Sequence, residues 1–278
     1  LNIIPNDGDF YEVVKQAGRI ARQHFGRPVT TTTKADGTPV TPVDIEINDF
    51  FRKWSERYSG LGYIAEEGNG QTYKEYILYV DPLDGTGAYA RGMATTTIIA
   101  TIMHVQNGRG APKTTFIHNP ITGETWHALK GDGAHKLSDD RRLPLLSPST
   151  GRIKTAVCAC PGASHNLEHV SRQISRAYSQ GFSDQQMGAF GIGGALVAQS
   201  TLDATACGQS SAVETAAMML LVTEVGGVAI DLNGDPIADF KLGKWKGKDD
   251  FLLPHGAILA RDQAAAEKLL AFIRQHRQ

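Results

Sequence analysis

The stretch Val80-Asp81-Pro82-Leu83-Asp84-Gly85-Thr86 decides how the rest of this chain is read. A β-branched run, Tyr76 to Val80, ends in two carboxylates, Asp81 and Asp84. Pro82 between them fixes φ and withdraws one backbone donor, so the chain turns sharply with both carboxylates on one side. Two ionised carboxylates about 4 Å apart repel by roughly 4 kcal/mol at an effective dielectric of about 20, so they must share a proton, separate or hold a cation. A cation is the favoured reading. Oxygen donors with no His or Cys cluster beside them suit a hard ion, Mg²⁺ ahead of Mn²⁺ or Ca²⁺, and argue against zinc. Gly85 and Thr86 add backbone N–H groups free of side-chain bulk and a hydroxyl, which a phosphate needs. Taken alone, the same letters are a common Asp-Pro-x-Asp-Gly surface turn.

Working outward, further acidic residues stand at element ends. Glu66 and Glu67 follow the apolar run ending in Ile64-Ala65, and Asp44 follows Thr41-Pro42-Val43 at a helix start. Glu214 sits in the first turn of a helix opening at Ser211-Ala212-Val213. Singly, each has a plain role: a solvated loop for the glutamate pair, complementation of the helix dipole for Asp44 and Glu214.

The remaining sequence supplies the frame. Helical spacing of Phe10, Val13, Val14, Ala17, Ile20, Ala21 and Phe25 predicts a first amphipathic helix, and Asp44 to Tyr58 a second. Short β-branched runs over Tyr76–Val80, Thr95–Val105, Thr114–Ile117 and Glu124–Leu129 predict a mainly antiparallel sheet. Beyond Ser147 the texture alternates. Strands are expected at Ile153–Cys158, Leu202–Ala206, Val228–Asp231 and Gly256–Ala260, and helices at Ala163–Tyr178, Gly188–Ser200, Ala212–Val225 and Asp262–Arg274. This gives an α/β (α+β) chain of two domains, 1–147 and 148–278, with Ala238–Asp250 read as a charged loop. Gly191-Ile-Gly-Gly194 does not follow a strand and reads as helix packing rather than a phosphate loop.

Composition excludes several classes. The 278 residues carry 28 basic and 29 acidic side chains, a net charge of −1 that pulls toward neither nucleic acid polymers nor anionic membranes. No apolar run approaches the roughly 18 residues of a membrane span. Three cysteines, Cys158, Cys160 and Cys207, build no disulfide framework, and Leu1 to Phe10 lacks the pattern of a signal peptide, so a cytoplasmic protein is expected. The histidines His104, His118, His127 and His135 lie in β-rich stretches at no metal-ligand spacing and read as satisfied sheet residues. Lys34, in a Thr-rich stretch, is a further cation for a phosphate.

The order of these segments resembles the inositol monophosphatase family of metal-dependent, lithium-sensitive phosphatases. Asp81-Pro-Leu-Asp-Gly-Thr86 is similar to its Asp-Pro-Ile-Asp-Gly-Thr signature, Glu66-Glu67 to its Gly-Glu-Glu element and Thr41 to Asp44 to its Thr-x-x-Asp element. Glu214 to Gly227 is similar to its second signature, and Asn119 to Ala128 with Gly131 to Ala134 to its β-hairpin. The resemblance implies a five-layer α-β-α-β-α sandwich with a mainly antiparallel N-terminal sheet and a mixed C-terminal one. It also implies two or three Mg²⁺ ions, a small phosphate ester substrate and a homodimer. Carried over residue by residue, Glu66, Asp81, the Leu83 carbonyl and Thr86 would hold one Mg²⁺, and Asp81, Asp84 and Glu214 a second. Asp44 would accept a hydrogen bond from Thr86, and Gly85 and Thr86 N–H groups would bind the phosphoryl oxygens.

The chain also departs from the pattern. Glu214 stands where the family has Asp, one methylene shorter, and Ala88 and Tyr89 stand in place of its Asn-Phe continuation. The substrate positions fall on Cys207 and Gln185, with Glu67 beside the metal set; a thiol cannot accept strong hydrogen bonds from a polyol as a carboxylate does. The expectation is therefore a Mg²⁺-dependent phosphomonoesterase acting on a sugar, polyol or nucleotide phosphate. The alternatives are a 3′-phosphoadenosine/bisphosphate nucleotidase or a histidinol-phosphate phosphatase. A non-catalytic phosphometabolite-binding protein is a further alternative, favoured by Glu214 and Ala88.

Overall fold

The structure of the chain is a computed structural model that describes residues 3–34, 37–67, 71–138, 141–145, 155–160, 182–184 and 187–276. Helix α1 (Asp7–His24) starts where the Asn6 side chain accepts from Asp9 N at 2.9 Å, and acidic residues open it while Arg22 and His24 close it. A small hairpin, β1 (Thr32–Thr33) and β2 (Pro39–Val40), leads into α2 (Pro42–Ser55), which begins in a capping box between Thr41 and Asp44.

The large sheet follows. Its strands are β3 (Leu61–Ala65), β4 (Tyr76–Asp84), β5 (Thr97–Gln106), β6 (Arg109–His118), β7 (Thr125–Leu129), β8 (Gly133–Ser138) and β9 (Arg141–Pro144), with the short α3 (Thr86–Ala90) after β4. Only β3 and β4 pair in parallel among these; the other pairings are antiparallel. The second sheet holds β10 (Thr155–Cys160), β11 (Phe182–Asp184), β12 (Ala204–Cys207) and later strands. Between β11 and β12 lies α4 (Gly191–Ala198). After β12 come β13 (Ser210–Ser211), α5 (Val213–Thr223), β14 (Val228–Ile230), β15 (Phe240–Trp245), β16 (Lys248–Leu253), β17 (Ala257–Ala260) and α6 (Gln263–His276). The second sheet runs β11-β10-β12-β17-β14 and is mixed.

Strand alternation explains the layering. In β4, Leu78 and Val80 enter the core shared with α1 and α2, while Ile77 and Tyr79 enter the core shared with α4 and α5. That second core reaches Ala229 and Leu259 of the smaller sheet, whose other face packs Ala206 and Ile258 against Leu269 and Ile273 of α6. The order is therefore α1/α2, large sheet, α4/α5, small sheet, α6, the five-layer sandwich expected.

Three expectations need correction. The segment read as a charged loop, Ala238–Asp250, forms most of the hairpin β15–β16, turning at Lys246-Gly247 with φ of 49° and 83°. A two-residue turn with positive φ at both centres is a hairpin device usually signalled by Asn-Gly, and Lys-Gly concealed it. Through β15–β6 and β13–β16 pairings this hairpin extends the large sheet, so residues beyond 147 contribute to both sheets. The helix expected over Gly188–Ser200 is shorter, Gly191–Ala198, and the strand expected over Leu202–Ala206 runs Ala204–Cys207. The helix expected over Ala163–Tyr178 and the start of the strand at Ile153 lie outside the described residues.

Candidate active site

The end of β4 carries the site. Pairing with β5 shifts register between Asp81 and Asp84, and the extra residues of this irregularity turn both carboxylates to one side. Gly85 follows at φ 78°, and a Cβ there would lie 2.7 Å from Ala189 Cβ and 2.9 Å from the Gly188 carbonyl oxygen, so only glycine fits.

Asp84 is fixed before any ligand arrives. Its Oδ1 accepts from Phe190 N at 2.9 Å, and its Oδ2 accepts from Gly191 N and Thr97 Oγ1, both at 2.7 Å. Asp81 Oδ1 accepts from Leu83 N at 3.0 Å. Across the gap, α5 delivers Glu214 from its first turn, and one carboxylate oxygen each of Asp81, Asp84 and Glu214 lies within 4.8 Å of the others. The extra methylene thus does not keep Glu214 from the cluster.

Such a cluster is electrostatically unsatisfied without a cation. Burial pushes the Asp81 carboxyl well above the usual range, with Glu66, Asp84 and Glu214 adding repulsion. Asp84 is raised by burial even though its three donors pull the other way. Burial, then Glu66 and Asp84, push Glu214 up to about 8. All the donors are oxygens, and the chemistry of the set fits a hard divalent ion.

A second constellation meets the first at Thr86. Its hydroxyl donates to Asp44 Oδ1 at 2.8 Å and lies 3.0 Å from the Leu83 carbonyl oxygen. Asp44, 1% exposed, uses its Oδ2 to accept from Thr41 N at 2.9 Å and Thr41 Oγ1 at 2.5 Å. One carboxylate therefore caps α2 and ties it to the β4–α3 turn. Burial raises its pKa, against the lowering by these bonds.

Glu66 stands outside the tight group. Lys34 Nζ pairs with Glu66 Oε1 at 3.0 Å and Glu67 Oε1 at 2.5 Å, linking the β1–β2 hairpin to the end of β3. Burial, then the Glu66 charge, raises the Glu67 pKa. Cys207, 2% exposed in β12, faces the core with Sγ 3.5 Å from Thr215 Oγ1, and burial pushes its thiol up to about 12. Gln185 lies outside the described residues.

Several residues around the site were not singled out in the sequence. Thr97, Phe190 and Gly191 hold Asp84; a Cβ on Gly191 would lie 2.8 Å from Thr97 Oγ1 and 3.0 Å from Asp84 Oδ2. The glycines of Gly191-Ile-Gly-Gly194 carried that signal, read only as packing. Asp250, Tyr79 and Ser211 form a buried network beside the cluster. Asp250 was hidden by the loop reading of its hairpin, and Tyr79 by its apolar neighbours.

The layered α/β fold, its buried carboxylate cluster and the Gly-Thr turn fit a metal-dependent phosphoric monoester hydrolase. The sequence profile of the inositol monophosphatase family matches residues 8–278, and the chain belongs to that family. It is 28% identical over 237 residues to a 3′(2′),5′-bisphosphate nucleotidase CysQ of Aggregatibacter actinomycetemcomitans, covering 82% of this chain and 85% of that protein. It is 29% identical over 231 residues to a histidinol-phosphatase of Mycobacterium tuberculosis, covering 79% and 84%. Its fold superposes on an IMPase structure from Thermotoga maritima with a TM-score of 0.75 at 19% identity, covering 96% of both chains. No helix among the described residues is long and apolar enough to cross a membrane.

Proposed function

We propose that the protein is a Mg²⁺-dependent phosphomonoesterase that hydrolyses a small sugar, polyol or nucleotide phosphate by attack of an activated water. One observation carries this reading: three carboxylates from β4 and α5 converge within 4.8 Å beside the Thr86–Asp44 pair. Asp81, Asp84 and Glu214 would share one ion; Asp81, Glu66, the Leu83 carbonyl and Thr86 would hold another. When bound, Mg²⁺ supplies Lewis acidity, making water a better nucleophile and stabilising the leaving oxygen.

The chain's own residues do the rest. Asp44 accepts a hydrogen bond from the Thr86 hydroxyl, which would leave the Thr86 oxygen free to accept from, and so orient, the attacking water. Gly85 and Thr86 N–H groups, at a turn with no side-chain bulk, bind phosphoryl oxygens. Asp84, locked by three donors, gives the cluster a fixed wall, so little reorganisation accompanies charge development.

The identity shared with the CysQ nucleotidase and with the histidinol-phosphatase favours a second reading of the substrate, a nucleotide bisphosphate or histidinol phosphate. Cys207, buried in the core against Thr215, offers no side chain to a polyol, so the position read as substrate-binding does not supply an inositol contact. The reading includes a cytoplasmic homodimer of two domains, 1–147 and 148–278, inhibited by Li⁺. Phosphate release from inositol 1-phosphate, 3′-phosphoadenosine 5′-phosphate and histidinol phosphate, each with Mg²⁺ and with EDTA, tests it. Turnover of at least one ester with Mg²⁺ and none with EDTA is expected. Release that survives EDTA, or none from any ester including p-nitrophenyl phosphate, would overturn it.

A further inference from the structure

The carboxylate cluster is assembled from β4 and from the start of α5, which are distant in sequence. Between them lies a buried polar network that the chemistry above leaves unused. Tyr79 stands two residues before Asp81, so the two side chains leave the same face of β4. Its hydroxyl, fully buried, makes a short hydrogen bond to Asp250 Oδ1 and lies 2.8 Å from Ser211 Oγ. An ionised carboxylate only accepts, so the single Tyr79 proton goes to Asp250, and the Ser211 hydroxyl, hydrogen-bonded within the same group, reaches both the Tyr79 oxygen and Asp250.

The chain of bonds continues into the helix. Ser211 Oγ accepts from Val213 N, the first residue of α5, at 3.3 Å. On the other side Phe251 N donates to Asp250 Oδ1 at 2.7 Å, and Ala212 N donates to the Phe251 carbonyl at 2.9 Å. Asp250, 8% exposed, is therefore held by the strand that carries Asp81 and by its own hairpin. The last residues before Glu214 are bonded to both.

We propose that Tyr79, Ser211 and Asp250 are positioning residues that fix the start of α5, and with it the Glu214 carboxylate, at the separation from Asp81 and Asp84 that a shared divalent cation requires. The proposal rests on the metal-site reading given above. Its physical basis is tolerance: Mg²⁺ demands near-octahedral oxygens at about 2.0–2.1 Å, and a glutamate has one more torsion to order than an aspartate. A helix start anchored by three consecutive bonds removes the freedom that the longer side chain adds. Second-layer partners of this kind typically change metal affinity about 10–100-fold when removed.

Calorimetric titration of the full chain with Mg²⁺, without substrate, tests the proposal on wild type, Tyr79→Phe and Asp250→Asn. Wild type is expected to take up Mg²⁺ in a tighter and a weaker step. In both variants the weaker, Glu214-dependent step should shift about tenfold or more. The tighter step should stay within about twofold, while the lost buried hydrogen bond lowers the melting temperature of Tyr79→Phe in EDTA by only a few degrees. In turnover, half-saturating Mg²⁺ should rise by a similar factor while kcat at saturating Mg²⁺ stays within about threefold. Unchanged weaker steps in both variants would overturn the proposal. So would equal weakening of both steps, since that marks general loss of packing instead of positioning of Glu214. A wild type that takes up no Mg²⁺ would overturn the metal-site reading itself, and the proposal with it.

Discussion

Asp84 and Asp44 are each held by three donors, yet both are pushed upward in pKa by burial. Backbone and hydroxyl donors set where the oxygens point, while charge is left for an ion to balance. Asp81 is the residue both ions would share, and Asp81→Asn should lower turnover of p-nitrophenyl phosphate by more than about a hundredfold at saturating Mg²⁺. Its melting temperature in EDTA should equal or exceed wild type, because a neutral amide folds without the proton uptake that the buried Asp81 carboxyl requires. Activity above about a tenth of wild type would contradict the assignment. Legibility at this scale followed spacing: Asp81, Asp84 and Thr86 stand in one short motif, and Asp44 and Glu214 open helices. Asp250 had no such setting, and Lys34, read as a phosphate cation, instead bridges Glu66 and Glu67.

Elements place these residues through close approaches that periodicity alone does not reveal. At Gly194 in α4, a Cβ would lie 2.2 Å from Met218 Cγ and 2.5 Å from Met218 Cβ, so α4 and α5 meet where only glycine fits. Because α4 donates Gly191 N to Asp84 and α5 carries Glu214, Gly194→Ala should disturb both stability and site. A loss of about 1–3 kcal/mol in urea unfolding and a raised Mg²⁺ requirement are expected. The sheet strands carry a different signature. Burial holds His118 down to about 4 and His127 down to about 3, whereas unfolded histidine titrates near 6.5. The unfolded chain therefore binds more protons between these values, and stability present above about pH 6.5 is lost as pH falls toward 4. Wild type should lose more stability between pH 7 and pH 5 than His118→Gln does; equal losses would contradict it. Helix α1 was legible from the helical spacing of its apolar residues, α2 from its acidic start, and the central strands from their β-branched runs. The β15–β16 hairpin was not, because its charges pair at the surface, Lys244 with Asp249 at 2.6 Å, and its turn lacks Asn.

At the scale of the molecule, Asp81 and Asp84 of β4 and Glu214 of α5 are distant in sequence and meet only in the folded chain, so folding and ion binding are linked. Without metal, the folded protein keeps protons on Asp81, Asp84 and Glu214 that the unfolded chain releases near pH 4 to 4.5. Folded pKa values above unfolded ones mean that metal-free stability falls as pH rises from about 4.5 to about 8. The gain in melting temperature from saturating Mg²⁺ over EDTA should therefore grow from pH 5.5 to pH 8, and taking this difference cancels the opposite histidine effect. A gain independent of pH would contradict the cluster's role. The five-layer order was legible only through the family resemblance, since hydrophobic periodicity does not say which face meets which layer.

The central claim is that Glu214 completes a carboxylate site whose ion drives phosphate ester hydrolysis. Phosphate release measured against Mg²⁺ concentration, for wild type and Glu214→Gln, tests it most directly. The account predicts that Glu214→Gln needs more Mg²⁺ and turns over about a hundredfold more slowly at saturation. Titration curves that superimpose, with equal rates, would reduce Glu214 to a complement of the α5 dipole and contradict the account.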